Sequence, residues 1–389
     1  MSNNRIAIFS WSIPKGGLAK VILKEYYDFK NKKVPSVILT QGAIPDAYFK
    51  EFENIDPGNC VIVKPHSEGR IKDISDFLPG VKVSMNGSFL SNVISLTLYL
   101  RKNEFSTIIS HQLLSAFILW PYYIMSRKPY ILVLHDNPFL FLKKDNIKSM
   151  SFFRRFKASV IYLLSNIVIF SSKHTVCTTP QIKEEVEKNL KVHKELLVAE
   201  YGIDTFQAVN HGGRKIIMTV SKWSQFRNPA AYLEVLDLLP KTLSLVMVGR
   251  WDTQMEIEKF KAEVFKRGLE DRLIIRDNVL EEELSSLYNQ TRVFVRLGFS
   301  ESGTGQAILE AIGHGCPVVI SKGLGASTMV KDGGNGFVVD ENNLEEVSNK
   351  IFTIFGNDQM VERMSNFSYK VAKEHSWQTY LDKISSLTE

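Results

Sequence analysis

The sequence predicts an α/β protein of two domains, each a parallel sheet flanked by helices. Three observations carry that prediction. Short aliphatic runs alternate with helical patterns along the whole chain, the signature of layered α/β proteins. The 389 residues exceed what one core usually organises. The alternation also restarts at Lys215, after a Gly-containing stretch (Val209-Asn210-His211-Gly212-Gly213-Arg214) that reads as a linker.

The first half opens on a strand at 5–9. Pro14-Lys15-Gly16-Gly17 turns the chain into an amphipathic helix at 18–29. Strands follow at 35–40, 60–64, 107–110 and 130–134, and the last two lead into His111 and His135. A strand at 175–178 is expected to be the last of this half, followed by a helix at 181–189. The second half repeats the alternation. Strands are expected at 215–220, 244–248, 272–276, 293–295 and 317–320. Helices are expected at 229–239, 255–268 and 281–289, the last with an acidic first turn that suits the helix dipole. No internal repeat interrupts this order.

Composition narrows the function classes. Apolar residues make up 44% and charged residues 23%, as in ordinary soluble proteins. The net charge of +6 suits an anionic small ligand or an anionic membrane surface. Nucleic acid is not favoured, because no Arg/Lys run alternates with aromatics. Cys60, Cys177 and Cys316 are odd in number and far apart, which argues against disulfides and zinc and for a reduced, cytoplasmic setting. The first residues lack the apolar core of a signal peptide. The apolar stretches 113–125, which contains Pro121, and 160–170 are too short to span a bilayer.

The densest chemistry lies between Phe294 and Asp340. A strand runs into a Gly/Ser turn, then a short helix carrying Glu310, then the turn 313–316 and a buried-type strand. Acids stand at both ends of the turn–helix segment, at Glu301 and Glu310. Such a layout holds a polar ligand at the carboxyl edge of a parallel sheet. Upstream, Lys222 and Arg227 lie in the turn between a strand and the next helix, where two cations can neutralise phosphate or stand as a solvated loop.

The segment resembles the donor-site signature of glycosyltransferase family 4, the retaining glycosyltransferases of GT-B fold. Leu309-Glu310-Ala311 and Gly315-Cys316-Pro317-Val318-Val319 carry the resemblance. Tyr201-Gly202-Ile203-Asp204, the turn 331–337, Ser376-Trp377 and Tyr380-Leu381 support it as structural marks. One spacing departs: eight residues separate Glu301 from Glu310, where the family has seven.

The resemblance implies two Rossmann-like domains facing across a cleft. Residues 1–207 form the acceptor-side domain, with a C-terminal helix at about 370–389 crossing back to it, and 208–369 form the donor domain. It implies transfer of a sugar from a nucleotide-sugar donor to a hydroxyl acceptor, either a glycan or a lipid-linked molecule, with retention. No cofactor or metal is expected, since no Asp-x-Asp stands at a strand end. Lys222 and Arg227, in swapped order, fall where the family pairs cations with the donor diphosphate. Glu310 falls where it binds the nucleotide ribose. The first acid, which contacts the donor sugar, is Glu301 when counted from Val293 and Ser302 when counted from Glu310. Gly303, Thr304 and Gly305 supply backbone N–H groups to the donor. The Gly16-Gly17 loop approaches the donor phosphate. His135, in a strand-then-His-Asp pattern, has a hydrogen-bonding role in transfer, and His111 is its weaker counterpart. No role passes to Thr328.

The same sequence also admits a GT-B epimerase or phosphorylase, or a non-catalytic binding protein. Finally, Lys143, Lys144 and Lys148 precede the basic, aromatic run 152–157. That stretch reads as a peripheral contact with an anionic membrane or as a solvated helix face.

Overall fold

The structure is a computed structural model describing residues 5–13, 17–42, 55, 58–64, 72–73, 84–85, 89–139, 152–191, 193–206, 213–224, 227–277, 279–298 and 303–389. It divides into two compact units, Met1–Glu200 with Tyr380–Glu389, and Tyr201–Thr379.

The first unit holds a parallel seven-stranded sheet in the order β3-β2-β1-β6-β7-β8-β9. Its strands are β1 (Ile6–Ser10), β2 (Ser36–Thr40), β3 (Cys60–Ile62), β6 (Thr107–His111), β7 (Tyr130–Leu134), β8 (His174–Cys177) and β9 (Leu196–Val198). A separate antiparallel pair joins β4 (Lys72–Asp73) to β5 (Ser84–Met85). The central strands are buried along their whole length, which explains why they read as unbroken aliphatic runs. Around the sheet pack α1 (Gly17–Asn31), α2 (Phe89–Lys102), α3 (Leu113–Ser126), α4 (Phe152–Ser171) and α5 (Pro180–Asn189). Thr179 caps α5, its hydroxyl accepting from the Ile182 N–H at 3.1 Å, with Pro180 at the first helical position.

The second unit holds a parallel six-stranded sheet in the order β12-β11-β10-β13-β14-β15. Its elements alternate as β10 (Ile216–Val220), α6 (Pro229–Leu238), β11 (Leu245–Val248), α7 (Gln254–Lys266), β12 (Leu273–Arg276), α8 (Glu281–Gln290), β13 (Thr291–Arg296), α9 (Gln306–Gly313), β14 (Val318–Ser321) and β15 (Gly336–Val339). Three helices close the chain: α10 (Leu344–Phe355), α11 (Asp358–Glu374) and α12 (Trp377–Ser386). One aliphatic core lies under this sheet, from Ile217 through Val293 and Val319 to Ile351 and Met364.

One expectation is corrected. The strand at 175–178 does not end the first sheet, because β9 pairs beside it in parallel. Three residues at a sheet edge, following the charged stretch 191–195, leave too little pattern to read as a strand.

In each sheet the connection order reverses once. Chain neighbours lie left of β1 and right of β6 in the first unit, and left of β10 and right of β13 in the second. Ligands of open parallel sheets bind at such switch points, beyond the carboxyl ends of the strands. The residues following β10 and β13, and those following β1 and ending β6, therefore hold the positions of greatest interest, with the end of β7 one strand further on.

Candidate active site

In the second unit, the turns after β10 and β11 are zipped together. The Ser221 N–H donates to Val248 O at 3.1 Å, Trp223 N–H to Arg250 O at 2.8 Å, and Asp252 N–H to Trp223 O at 2.9 Å. The Trp223 side chain is fully buried and its indole N–H donates to Val248 O at 2.9 Å, anchoring the turn from below. Lys222 is thereby turned outward, with Nζ 2.7 Å from Asp252 Oδ1. This approach depends on Gly249. Its φ is +124°, and a Cβ there would lie 1.8 Å from the Ser221 carbonyl oxygen. A Gly249→Ala protein is expected to lose at least about 2–4 kcal/mol of stability, combining backbone strain with a clash that only movement of the turn relieves. Urea unfolding measures it, and an unchanged midpoint would show that the turn yields freely.

Arg227 lies two residues before α6, half-buried, with its N–H on Ser224 O at 3.0 Å. Asn228 follows at φ 41°, and Pro229 starts the helix. From the same helix, the buried Tyr232 hydroxyl accepts the Leu297 N–H at 2.8 Å. The Gly298 N–H donates to Ser321 Oγ at 3.0 Å. These two bonds fix the chain as it leaves β13 and couple it to the helix that Arg227 precedes.

Gly303 is half-buried, Thr304 is buried, and Gly305 at φ 66° makes the left-handed entry into α9. The helix buries Ile308, Leu309, Ala311 and Ile312, and leaves Glu310 half-buried between them. Tyr288, 1% exposed, donates to Glu310 Oε2 at 3.2 Å and to Ala307 O at 3.1 Å. Burial and the Glu310 charge push the Tyr288 phenol well above its usual range, so it stays a donor and holds the carboxylate in place. Glu301 and Ser302, between which the sequence leaves the first acid position open, lie outside the described residues.

The first unit contains a second cluster. His111 ends β6 opposite Val133, and His135 lies two residues past Val133, just beyond β7, on the same side of the sheet. The two rings stack 5.1 Å apart at 15°, with His111 Nδ1 2.9 Å from His135 Nε2. Behind them, His111 Nε2 lies 2.9 Å from Glu25 Oε2, and the Tyr380 hydroxyl donates to Glu25 Oε1 at 2.6 Å. The side chains of Glu25 and His111 are completely buried. A carboxylate at Glu25 requires a proton on His111 Nε2. With His111 neutral, its Nδ1 is then the acceptor, and His135 places its proton on Nε2. The line Tyr380–Glu25–His111–His135 thus selects one tautomer of His135. Of the glycine pair, Gly17 begins α1, while Lys15 and Gly16 lie outside the described residues.

Sequence reading missed Glu25 and took Tyr380 only as a structural mark. The available signal was an acid on the apolar stripe of α1, between the buried Ile22 and Phe29, where a solvated acid has no place.

Burial, and then the neighbouring His111, hold the His135 imidazole well below its ordinary range. The folded protein therefore resists a proton that the unfolded chain accepts below about pH 6.5. Stability from this group is complete above that pH and declines as pH falls toward the lowered folded value. A His135→Gln protein should show a shallower acid-side loss in melting temperature measured from pH 7 to pH 5. An identical slope would contradict the assignment.

Comparison with known proteins places these features. Residues 203–371 match the family described as glycosyl transferases group 1. The poly(glycerol-phosphate) alpha-glucosyltransferase of Bacillus subtilis (strain 168) is 22% identical over 164 residues, 42% of this chain and 24% of that protein. The chain spans less than two thirds of the length of the curated relatives it matches. Sucrose-phosphate synthase from Thermosynechococcus elongatus superposes with a TM-score of 0.79 at 15% identity, covering 99% of this chain and 98% of that one. Anabaena HepE, solved in complex with UDP and glucose, gives 0.76 at 15% identity, covering 98% of each chain. With the seven- and six-stranded parallel sheets, these likenesses show a GT-B fold.

Proposed function

We propose, from a glycosyl transferases group 1 domain at residues 203–371 within a GT-B fold, that this protein is a glycosyltransferase. It moves a sugar from a nucleotide-sugar donor to a hydroxyl of a glycan or lipid-linked acceptor, with retention, as in family 4. The observation that supports this reading is that Lys222, Arg227, Gly303–Gly305 and Glu310 all follow β10 or β13, the two strands that flank the switch point of the second sheet. Several structural neighbours were solved with UDP, which makes UDP-sugars the first donors to test.

Each residue then has a task. Glu310, held by Tyr288, accepts hydrogen bonds from the vicinal ribose hydroxyls. Lys222 and Arg227 face the diphosphate. As the bond from the anomeric carbon to the phosphate oxygen breaks, that oxygen gains charge, and the two cations stabilise it. The acceptor oxygen bonds to the same face of the anomeric carbon and its proton passes to the leaving phosphate. Glu301 or Ser302 contacts the sugar near the reacting carbon. His135, neutral and in one tautomer, hydrogen-bonds the donor sugar instead of serving as general base.

The test is turnover with UDP-, GDP- and ADP-sugars, following nucleoside diphosphate release with and without candidate acceptors. Acceptor-dependent release supports transfer, while epimerisation without release would replace that reading. Rates are expected to be the same in EDTA as in added magnesium, because the cations at the diphosphate are side chains. A strict metal requirement would overturn that part.

A further inference from the structure

One face of the first unit carries an unusual surface. α2 leads into β6, α3 joins β6 to β7, and α4 joins β7 to β8, all advancing the same way across the sheet. Right-handed crossovers place the three helices on one face. α3 packs against both neighbours, and Trp120 of α3 donates to Ser171 of α4 at 3.3 Å.

The outer side of this layer inverts the usual pattern. On α4, Phe156, Val160, Leu163, Ile167 and Phe170 are exposed, at steps of four and three residues that keep them on one helical stripe. The stripe runs about 20 Å along the helix at 1.5 Å per residue. On α2, Leu90, Ile94 and Leu98 form a second stripe, with Leu90 65% exposed. On α3, Ile124 and Met125 are exposed. Among the described residues, the polar groups exposed on these helices are Ser159 and the cations Arg101, Lys102 and Arg155. None of the three helices contains an Asp or Glu. No helix among the described residues is long and apolar enough to cross a membrane.

We infer that this face docks on the surface of an anionic lipid bilayer, with the α4 and α2 stripes entering the boundary between headgroups and acyl chains. A large apolar patch marks a contact surface. The charge chooses the occupant. Cations at the carboxyl end of α2 and the amino end of α4, with no acid on the helices, complement lipid phosphates. A second copy docked through the same patch would bring like charges together. This inference does not depend on the transfer reading.

The experiment is co-sedimentation of the full chain with vesicles of phosphatidylcholine alone and of phosphatidylcholine with phosphatidylglycerol. Binding is expected to be at least tenfold stronger to the anionic vesicles and to weaken with salt. A Leu163→Glu/Ile167→Glu protein should lose at least tenfold of that binding while keeping the wild-type melting temperature and its oligomeric state. If that variant misfolds, a Leu163→Cys protein carrying an environment-sensitive dye should shift to the blue on anionic vesicles only. No binding to either vesicle, equal binding by a folded variant, a dye that does not respond, or a wild-type dimer that the variant makes monomeric would overturn the proposal.

Discussion

A Lys222→Ala enzyme is expected to lose about 10²–10³ in kcat, with a much smaller change in KM for the donor. The charge that Lys222 faces in the proposed reaction appears on the leaving diphosphate as the glycosidic bond breaks, so its effect belongs to the transition state. The placement is built into the fold. The β10–β11 ladder, extended through Trp223 and Arg250, fixes the backbone on both sides, and Asp252 at 2.7 Å orients the ammonium. In the proposed reaction, Asp252 also neutralises Lys222 until a diphosphate competes for it. An Asp252→Asn enzyme should therefore bind nucleoside diphosphate at least as tightly as wild type. Steady-state kinetics decides the matter. A Lys222→Ala enzyme with unchanged kcat and a raised KM would assign Lys222 to ground-state binding alone.

The second large effect is expected at Glu25. Glu25→Ala removes the acceptor for two buried donors, the Tyr380 hydroxyl and His111 Nε2. Each unsatisfied group costs about 1–3 kcal/mol, so a loss of roughly 2–6 kcal/mol is expected in urea unfolding. Glu25→Gln keeps the shape and an acceptor oxygen but no longer requires a proton on His111 Nε2. It should leave stability closer to wild type and still lower kcat about 10- to 100-fold, because His135 is no longer confined to one tautomer. The pH profile separates the two roles. A structural role alone would leave the kcat–pH curve of Glu25→Gln superimposable on wild type. A positioning role shifts its acid limb.

The contrast between these two clusters shows what the sequence carries. The alternation of strands and helices, the turn into α9 and the half-buried Glu310 are local patterns, legible because apolar flanks and Gly positions declare them. The Lys222–Asp252 pair is not local. The residues lie in two different turns, and only the register Val220 opposite Val248 brings them together. Glu25 and Tyr380 are further apart still, joined because the last residues of the chain belong to the first unit. His111 and His135 were legible as strand-end histidines, but their stacking follows from the pairing of β6 with β7. The competition between Glu301 and Ser302 is a matter of one residue in a turn, which neighbouring motifs count differently from each side.

In the proposed site, the second unit grips a nucleoside diphosphate through Glu310 and the cations after β10. Calorimetric titration of UDP, GDP and ADP into the full chain, and into Glu310→Ala and Arg227→Ala proteins, tests it most directly. Saturable binding of at least one of the three is expected, weakened about tenfold or more by each substitution, since a hydrogen bond to a charged group contributes about 1.5–3 kcal/mol. Binding that neither substitution weakens, or no binding of any nucleoside diphosphate by the wild-type protein, would contradict it.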